Sequence, residues 1–146
     1  FKKNTYCESV KHLVSVTKGV LTTGYVDETT KLELYLHAIG LLSPSFVEGF
    51  GIPVLDAACL SMPIIASDCE AHKELQMMYD FSKYINTLHT LDYQLWTNKM
   101  RILWDESIKI SKDPNEERDR RINNYIDKSK TIEEDFKQRL INLLTP

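Results

Sequence analysis

Two carboxylates bracket a short glycine-containing turn near the middle of the chain, in the run Glu48-Gly49-Phe50-Gly51-Ile52-Pro53-Val54-Leu55-Asp56. The carboxylates of Glu48 and Asp56 can accept hydrogen bonds from hydroxyl groups. Glycine lets the backbone approach a ligand closely. Pro53 suits the first turn of a helix, whose free N–H groups and positive dipole end favour phosphate. A ligand that combines a sugar, a diphosphate and a ribose would suit all these features.

Short apolar segments and amphipathic helices alternate around this run. The pattern predicts buried strands at residues 40–43 and 63–66 and a weaker strand at 83–86. Helices are predicted at about 53–60 and 70–76. This alternation predicts an α/β fold with a Rossmann-like parallel sheet flanked by helices.

Before that core, residues 5–17 predict a helix, and the β-branched residues at 20–26 predict a further strand. Asp27 is expected to cap the helix that follows. In open parallel sheets, ligands bind beyond the carboxyl ends of the strands. We therefore expect the loops at 44–51 and 67–71, together with 24–27, to form a crevice.

From residue 91 onward the sequence predicts a helical tail with three apolar stripes. Pro114 separates the first two stripes, and Asp113 is expected to cap the second helix. The densely charged run 113–121 is interpreted as a solvated helix face. The whole chain, 1–146, is predicted to be a single incomplete nucleotide-sugar-binding domain, with an α/β core at about 1–88 and the tail at about 90–146.

The composition argues against nucleic-acid binding, a membrane span and a cysteine metal site. The 146 residues carry 18 basic and 21 acidic side chains, and a net charge of -3 gives no electrostatic case for nucleic acid. No apolar run approaches the ~20 residues of a membrane span. Cys7, Cys59 and Cys69 have no metal-site spacing and are interpreted as buried, reduced thiols. We expect the chain to be a piece of a longer protein.

The run from Ser43 to Ala57 resembles the Glu-x7-Glu signature of retaining GT-B glycosyltransferases, the glycosyl transferases group 1. Residues 62–68 resemble the strand that follows in that family, and Glu74 fits an acidic position after it. Residues 24–26 and 131–144 are similar to an earlier strand and to the terminal helix of the family. Two departures are Asp56, where the family has Glu, and Ser61, where it often has Gly.

The resemblance implies the donor-binding, C-terminal half of a GT-B fold. It places Glu48 beside the donor sugar as the catalytic-site carboxylate, although not as an assigned nucleophile, and Asp56 on the ribose. The remaining donor-binding residues that it implies contact the sugar through the backbone or face the phosphates: Gly49, Phe50, Gly51, Ile52, Pro53 and Val54.

The resemblance also implies an activity. The longer protein would transfer a hexose from a nucleotide-sugar to a glycan or lipid-linked acceptor in polysaccharide biosynthesis. The nucleotide-sugar is a substrate, and no cofactor or metal is expected. The acceptor would bind an absent N-terminal domain, so the fragment alone should be inactive. The expected location is the cytoplasm, or the inner membrane surface as a peripheral protein, without a transmembrane segment.

Alternatives stay open at this point. The shorter Asp56 favours a catalytically inactive GT-B-like binding or scaffold subunit. A flavodoxin-like or receiver-type domain is a third option, but it does not explain the run 48–56 as a unit. Two polar residues nearby have simpler interpretations: Asp68 as a helix cap and His72 as a solvated side chain.

Overall fold

A computed structural model describes residues 5–109 and 113–145, and the side chains of 5, 6 and 109 lie outside this description. The chain divides into two compact units, Phe1–Lys31 and Leu32–Pro146. The first unit holds helix α1 (Thr5–Val16) and the start of α2 (Glu28–His37). Asp27 caps α2 as predicted, because its Oδ1 accepts from the Thr30 amide at 2.7 Å. That hydrogen bond also lowers the pKa of Asp27.

The predicted strand at residues 20–26 is wrong. The segment has an irregular backbone, and Gly24 adopts a φ of +64°, outside the extended region. Leu21 and Tyr25 are exposed. A β-branched composition favours extended backbone, but a strand also needs a neighbouring strand to receive its hydrogen bonds. Among the described residues, no strand pairs with this segment.

The second unit contains a parallel sheet, as the sequence predicts; it has three strands in the order β1-β2-β3. The three strands predicted at 40–43, 63–66 and 83–86 and the helices predicted at 53–60 and 70–76 are present, with bounds shifted by one or two residues. The elements in chain order are β1 (Leu41–Ser43), α3 (Ile52–Cys59), β2 (Ile64–Ser67), α4 (Glu70–Met77), a 3₁₀ turn (Phe81–Lys83) and β3 (Ile85–Leu88).

Both faces of the sheet are covered. One face packs against α3 and α4, and the core there is built from side chains such as Val54, Ile64, Leu75 and Ile85. The other face packs against α5 (Tyr93–Lys109), whose Trp96 joins Ile65 and Leu88. Trp96 Nε1 also donates to the His89 carbonyl at 3.0 Å. That bond ties α5 to the loop after β3.

The α3–β2 connection contains Ser61, at the position where the resembling family often has Gly. Ser61 has a φ of +56°, in the left-handed region that glycine adopts without strain. This explains why a glycine suits the position. The Ser61 Oγ is buried and has no hydrogen-bond partner among the described residues.

The helical tail ends in one long helix, α6 (Pro114–Leu144), so the second and third predicted stripes belong to the same element. Asp113 caps it as predicted, since its side chain accepts from the Asn115 amide at 2.9 Å. Lys128 of α6 forms an ion pair with Asp80, and its ammonium lies 5.3 Å from the centre of the Phe81 ring. α6 is thereby fastened to the segment after α4.

The interpretation of residues 113–121 as a solvated face is wrong at Arg121, which is only 7% exposed. Its Nη1 donates to the carbonyls of Tyr35, Leu36 and Ala38 at 2.8, 3.2 and 2.8 Å. These carbonyls lie at the C-terminal end of α2, where the last carbonyls lack partners within the helix and the dipole favours a cation. Burial of this arginine is possible because the helix end supplies its acceptors.

Cys59 is buried as predicted, whereas Cys69 is half-buried and Cys7 is exposed. Among the described residues, no helix combines the length and the apolar character that a membrane span requires.

Candidate functional site at the carboxyl edge of the sheet

The carboxyl ends of the three parallel strands meet at one edge of the sheet. Ser43 pairs with Ala66, and Ser67 pairs with Leu88, so the three strands end close to the same level. The loops at 44–51 and 68–69 leave from this edge, as expected. Residues 24–27 belong to the other unit, and their contribution to a crevice stays a prediction.

Glu48 is half-buried within the 44–51 loop. Its Oε1 accepts a hydrogen bond from Ser45 Oγ at 2.7 Å. The Ser45 carbonyl in turn accepts from Ser67 Oγ at the end of β2. The carboxylate is therefore held by a serine that is itself fixed to the sheet.

The turn after Glu48 presents backbone N–H groups. Gly51 has a φ of +83° and precedes the first residue of α3, with Pro in the first turn. The amides of Val54 and Leu55 both donate to the Gly51 carbonyl, at 2.9 and 3.1 Å. Among the described residues, the amides of 49–52 have no hydrogen-bond acceptor; Gly49, Phe50 and Ile52 are exposed, whereas Gly51 is buried.

The side chains around this turn divide into two groups. Phe50 and Ile52 are 48% and 60% exposed, and Pro53 is exposed too. Val54 is fully buried in the core, and its amide is already used within the turn. The role of Val54 in donor binding stays a prediction, and the amides that have no acceptor belong to residues 49–52, before Val54.

Asp56 lies on α3 and is half-buried, with an interaction partner within the protein. It lies near Cys59, one turn further along. Burial first, and then the negative charge of Asp56, raise the pKa of the Cys59 thiol to about 11. The thiol of Cys59 is therefore protonated and unreactive at neutral pH. The role of Asp56 in ribose binding stays a prediction.

The sequence suggested that His72 is solvated, but the side chain is fully buried at this edge. Its Nδ1 lies 3.0 Å from the Ser67 carbonyl and 3.0 Å from Ser67 Oγ, and its Nε2 lies 3.4 Å from Ser43 Oγ. One ring thus joins the ends of β1 and β2. The sequence does carry a signal for this burial, because His72 shares a face of α4 with the buried Leu75, three residues on.

Gly51 packs directly against this histidine. A Cβ atom added at Gly51 would lie 3.2 Å from His72 Cδ2 and 3.3 Å from Leu75 Cδ1. Gly51 is therefore required both for its left-handed φ and for this close approach.

Asp68 does not cap α4, contrary to the sequence interpretation. The cap residue is Cys69, which makes no side-chain hydrogen bond to the helix. The Asp68 amide instead donates to the Leu88 carbonyl at 2.9 Å, extending the pairing of β2 with β3. The carboxylate of Asp68 is left half-buried beside the loop.

A cavity of about 310 Å³ lies at the opposite edge of the sheet, before the strands begin. Its walls include Ile39, Pro63, Glu117 and Arg121, and it does not include Glu48. Within residues 5–109 and 113–145, no group of three or more histidine, cysteine and acidic side chains could hold a metal ion. The expectation of a metal-free site stays a prediction.

The chain is similar to known glycosyltransferases. The family model described as Glycosyl transferases group 1 matches residues 3–91, more than half of the chain and all of the strands. Three Escherichia coli proteins named serotype-specific mannosyltransferase WbdA are each 29% identical over 72 residues. That alignment covers 49% of this chain and only 9% of each relative. No solved structure matches the chain.

Proposed function

We propose a function from the premise that this chain belongs to the family Glycosyl transferases group 1. In this proposal, it is the donor-binding domain of a retaining glycosyltransferase, which transfers a sugar from a nucleotide-sugar to a glycan or lipid-linked acceptor. The observation that carries the proposal is the loop after β1. There a carboxylate that accepts a hydrogen bond from Ser45 is followed at once by backbone amides that have no acceptor among the described residues.

The amides of residues 49–52 would bind the diphosphate. They lie at the N-terminal end of α3, where the positive dipole end also favours an anion. A hydrogen bond to a charged oxygen contributes about 1.5–3 kcal/mol. Several such bonds would stabilise the negative charge that grows on the diphosphate as the glycosidic bond breaks.

Glu48 would orient the donor sugar. Its Oε1 is occupied by Ser45, and Oε2 has no partner among the described residues. Oε2 would accept a hydrogen bond from a sugar hydroxyl and fix the ring as the anomeric carbon becomes oxocarbenium-like. The proposal assigns Glu48 to sugar orientation in the catalytic site and not to covalent attack.

Asp56 would bind the ribose hydroxyls. It is shorter by one methylene than the glutamate typical of the position, and it already has a contact within the protein. A water between the carboxylate and the ribose would bridge the gap. The shorter side chain also favours the second candidate, a GT-B-like scaffold subunit without transfer activity.

Mannose is the first donor sugar to test, because the similar E. coli proteins are named mannosyltransferases. The acceptor would bind a domain outside this chain, and the site would operate in the cytoplasm or at the inner membrane surface. Isothermal titration calorimetry of the full-length protein with GDP-mannose, UDP-glucose, GDP and UDP tests donor binding directly.

Three variants sharpen this titration. Glu48→Ala should weaken binding of the preferred nucleotide-sugar about tenfold while changing binding of the free diphosphate little, since only the sugar contact is lost. Asp56→Ala should weaken both ligands. Glu70→Ala is the matched control, because Glu70 opens α4 near the same edge but is 93% exposed and pairs only weakly with Lys73.

Absence of binding by the wild-type protein would overturn the donor-site proposal. Binding without transfer to any acceptor, with the same response to Glu48→Ala, would instead favour the scaffold. A loss of affinity in Glu70→Ala equal to that in Glu48→Ala would remove the specific role of Glu48.

A further inference from the structure

Hydrogen bonds connect five polar residues at the carboxyl edge, of which His72 and Ser67 are buried and Ser43, Ser45 and Glu48 are half-buried; His72 Nδ1 lies 3.0 Å from Ser67 Oγ. A carbonyl oxygen can only accept, so the 3.0 Å contact between His72 Nδ1 and the Ser67 carbonyl requires a proton on Nδ1. In the neutral ring, His72 Nε2 then accepts from Ser43 Oγ at 3.4 Å. Ser67 Oγ donates to the Ser45 carbonyl, and Ser45 Oγ donates to Glu48 Oε1.

We propose that His72 is a positioning residue for the donor sugar, which orients Glu48 through Ser67 and Ser45. The inference rests on the proposed function, because it assigns the sugar contact to Glu48. His72 acts through these two serines and not by touching the donor.

The geometry of the loop supports this role. The 44–51 loop leaves β1 after Ser43, which contacts His72 Nε2, and it ends at Gly51, which packs against the same ring. Both ends of the loop are therefore fixed by one side chain. Between these two ends, Ser67 and Ser45 connect the ring to the carboxylate of Glu48.

The chemistry of the site also argues against a purely space-filling histidine. His72 and Ser67 are fully buried, and a buried polar group is costly unless it is hydrogen-bonded. An aliphatic side chain of similar volume would fill the space without that requirement, but it would not give Ser67 a defined orientation. The polar network orients the loop in a way that apolar packing does not.

The chain of bonds ends on one oxygen of Glu48 and does not include the amides of 49–52. Loss of the His72 hydrogen bonds should therefore weaken recognition of the sugar more than that of the diphosphate. This selectivity distinguishes positioning from general destabilisation, which would affect both ligands equally.

The experiment compares affinities for GDP-mannose and GDP, and for UDP-glucose and UDP, in the full-length protein. His72→Asn keeps a donor within reach of the Ser67 carbonyl but loses the acceptor for Ser43, whereas His72→Leu loses both. Ser45→Ala removes the last link at a half-buried position, so it tests the same chain if the His72 variants fold poorly. Ile85→Val is the control for a buried substitution away from the chain, since Ile85 is 1% exposed at the start of β3.

We expect His72→Leu and Ser45→Ala to weaken binding of the nucleotide-sugar about tenfold while leaving the free diphosphate within about twofold. His72→Asn should recover part of that loss, and Ile85→Val should change neither affinity. Equal losses for the sugar-bearing and sugar-free ligands, or no loss beyond that of Ile85→Val, would overturn the positioning role while donor binding stands. Failure of the wild-type protein to bind any of the four ligands would overturn the proposed function and this inference together.

Discussion

Replacement of Arg121 by alanine should strongly destabilise the unit formed by residues 32–146. The guanidinium is almost fully buried and donates to three carbonyls at the end of α2. Its Nε donates to Glu117 at 3.1 Å. Truncation would remove the hydrogen bonds that join α6 to α2 and leave the carbonyls without these donors.

The structure limits the size of the effect. Hydrogen bonds from a charged donor contribute about 1.5–3 kcal/mol each. Arg121 Nη1 carries only two hydrogens, so its contacts with three carbonyls are equivalent to about two full hydrogen bonds. The adjoining cavity of about 310 Å³ would admit water to the exposed carbonyls and recover part of the loss. We therefore expect Arg121→Ala to cost about 3–5 kcal/mol, the range for breaking a buried ionic contact from one side.

Urea unfolding followed by far-UV circular dichroism measures this loss. Arg120→Ala provides a matched control one residue away, because the Arg120 side chain is 43% exposed and, within residues 5–109 and 113–145, hydrogen-bonds only to Glu117. That pair is only partly buried, since Glu117 is 22% exposed, so it should contribute about 1 kcal/mol, less than the buried contacts of Arg121. Arg121→Lys should fall between the two, since a lysine ammonium lacks the planar geometry that spans several carbonyls.

Equal losses of unfolding free energy in Arg121→Ala and Arg120→Ala would refute the reasoning. That result would mean that the buried guanidinium contributes no more than a surface charge. A change in the urea dependence of the unfolding free energy would indicate a different cause, an altered denatured state or an additional unfolding step.

Two further predictions follow from single residues. Gly51→Ala should lower the unfolding free energy by at least about 1–2 kcal/mol, which is the cost of a left-handed backbone for a residue with a Cβ. Gly49→Ala is the control and should change the unfolding free energy little, because the space around its Cβ position is open. Similar losses in both variants would contradict the packing of Gly51 against His72. Hydrogen bonds from Arg120 and then Arg121 lower the pKa of Glu117 from 4.5 to about 2, so its stabilisation is complete above pH 4.5 and is lost as the pH falls towards 2. The difference in stability between wild type and Glu117→Gln should therefore shrink over that range in acid unfolding experiments, and a constant difference would contradict the assignment.

The sequence predicted the alternating core well because its signals are local. The short apolar runs before Pro44 and after Met62 are bounded by clear turn residues, and the helices between them have regular apolar spacing. Residues 20–26 have an equally strong β composition but do not form a strand. Strand formation depends on a partner elsewhere in the chain, which composition does not specify.

The two largest errors concern buried polar residues. His72 stands in a short, polar helix, and its burial depends on the register that brings Ser43 and Ser67 to the same edge. Arg121 stands in the most densely charged part of the chain, and its burial depends on the end of α2, 83 to 86 positions earlier. In both cases the acceptors that make burial favourable are distant in sequence, so local patterns favour a solvated interpretation.

The attachment of α6 at two places has a consequence for how this unit unfolds. Arg121 contacts the end of α2, and Lys128 contacts the segment after α4, while one continuous helix joins the two points. When either contact breaks, the helix still holds its partners close together through the other contact, so the broken contact re-forms readily. Stepwise fraying is disfavoured under this arrangement, and the helix and the sheet should lose their structure in a single cooperative event.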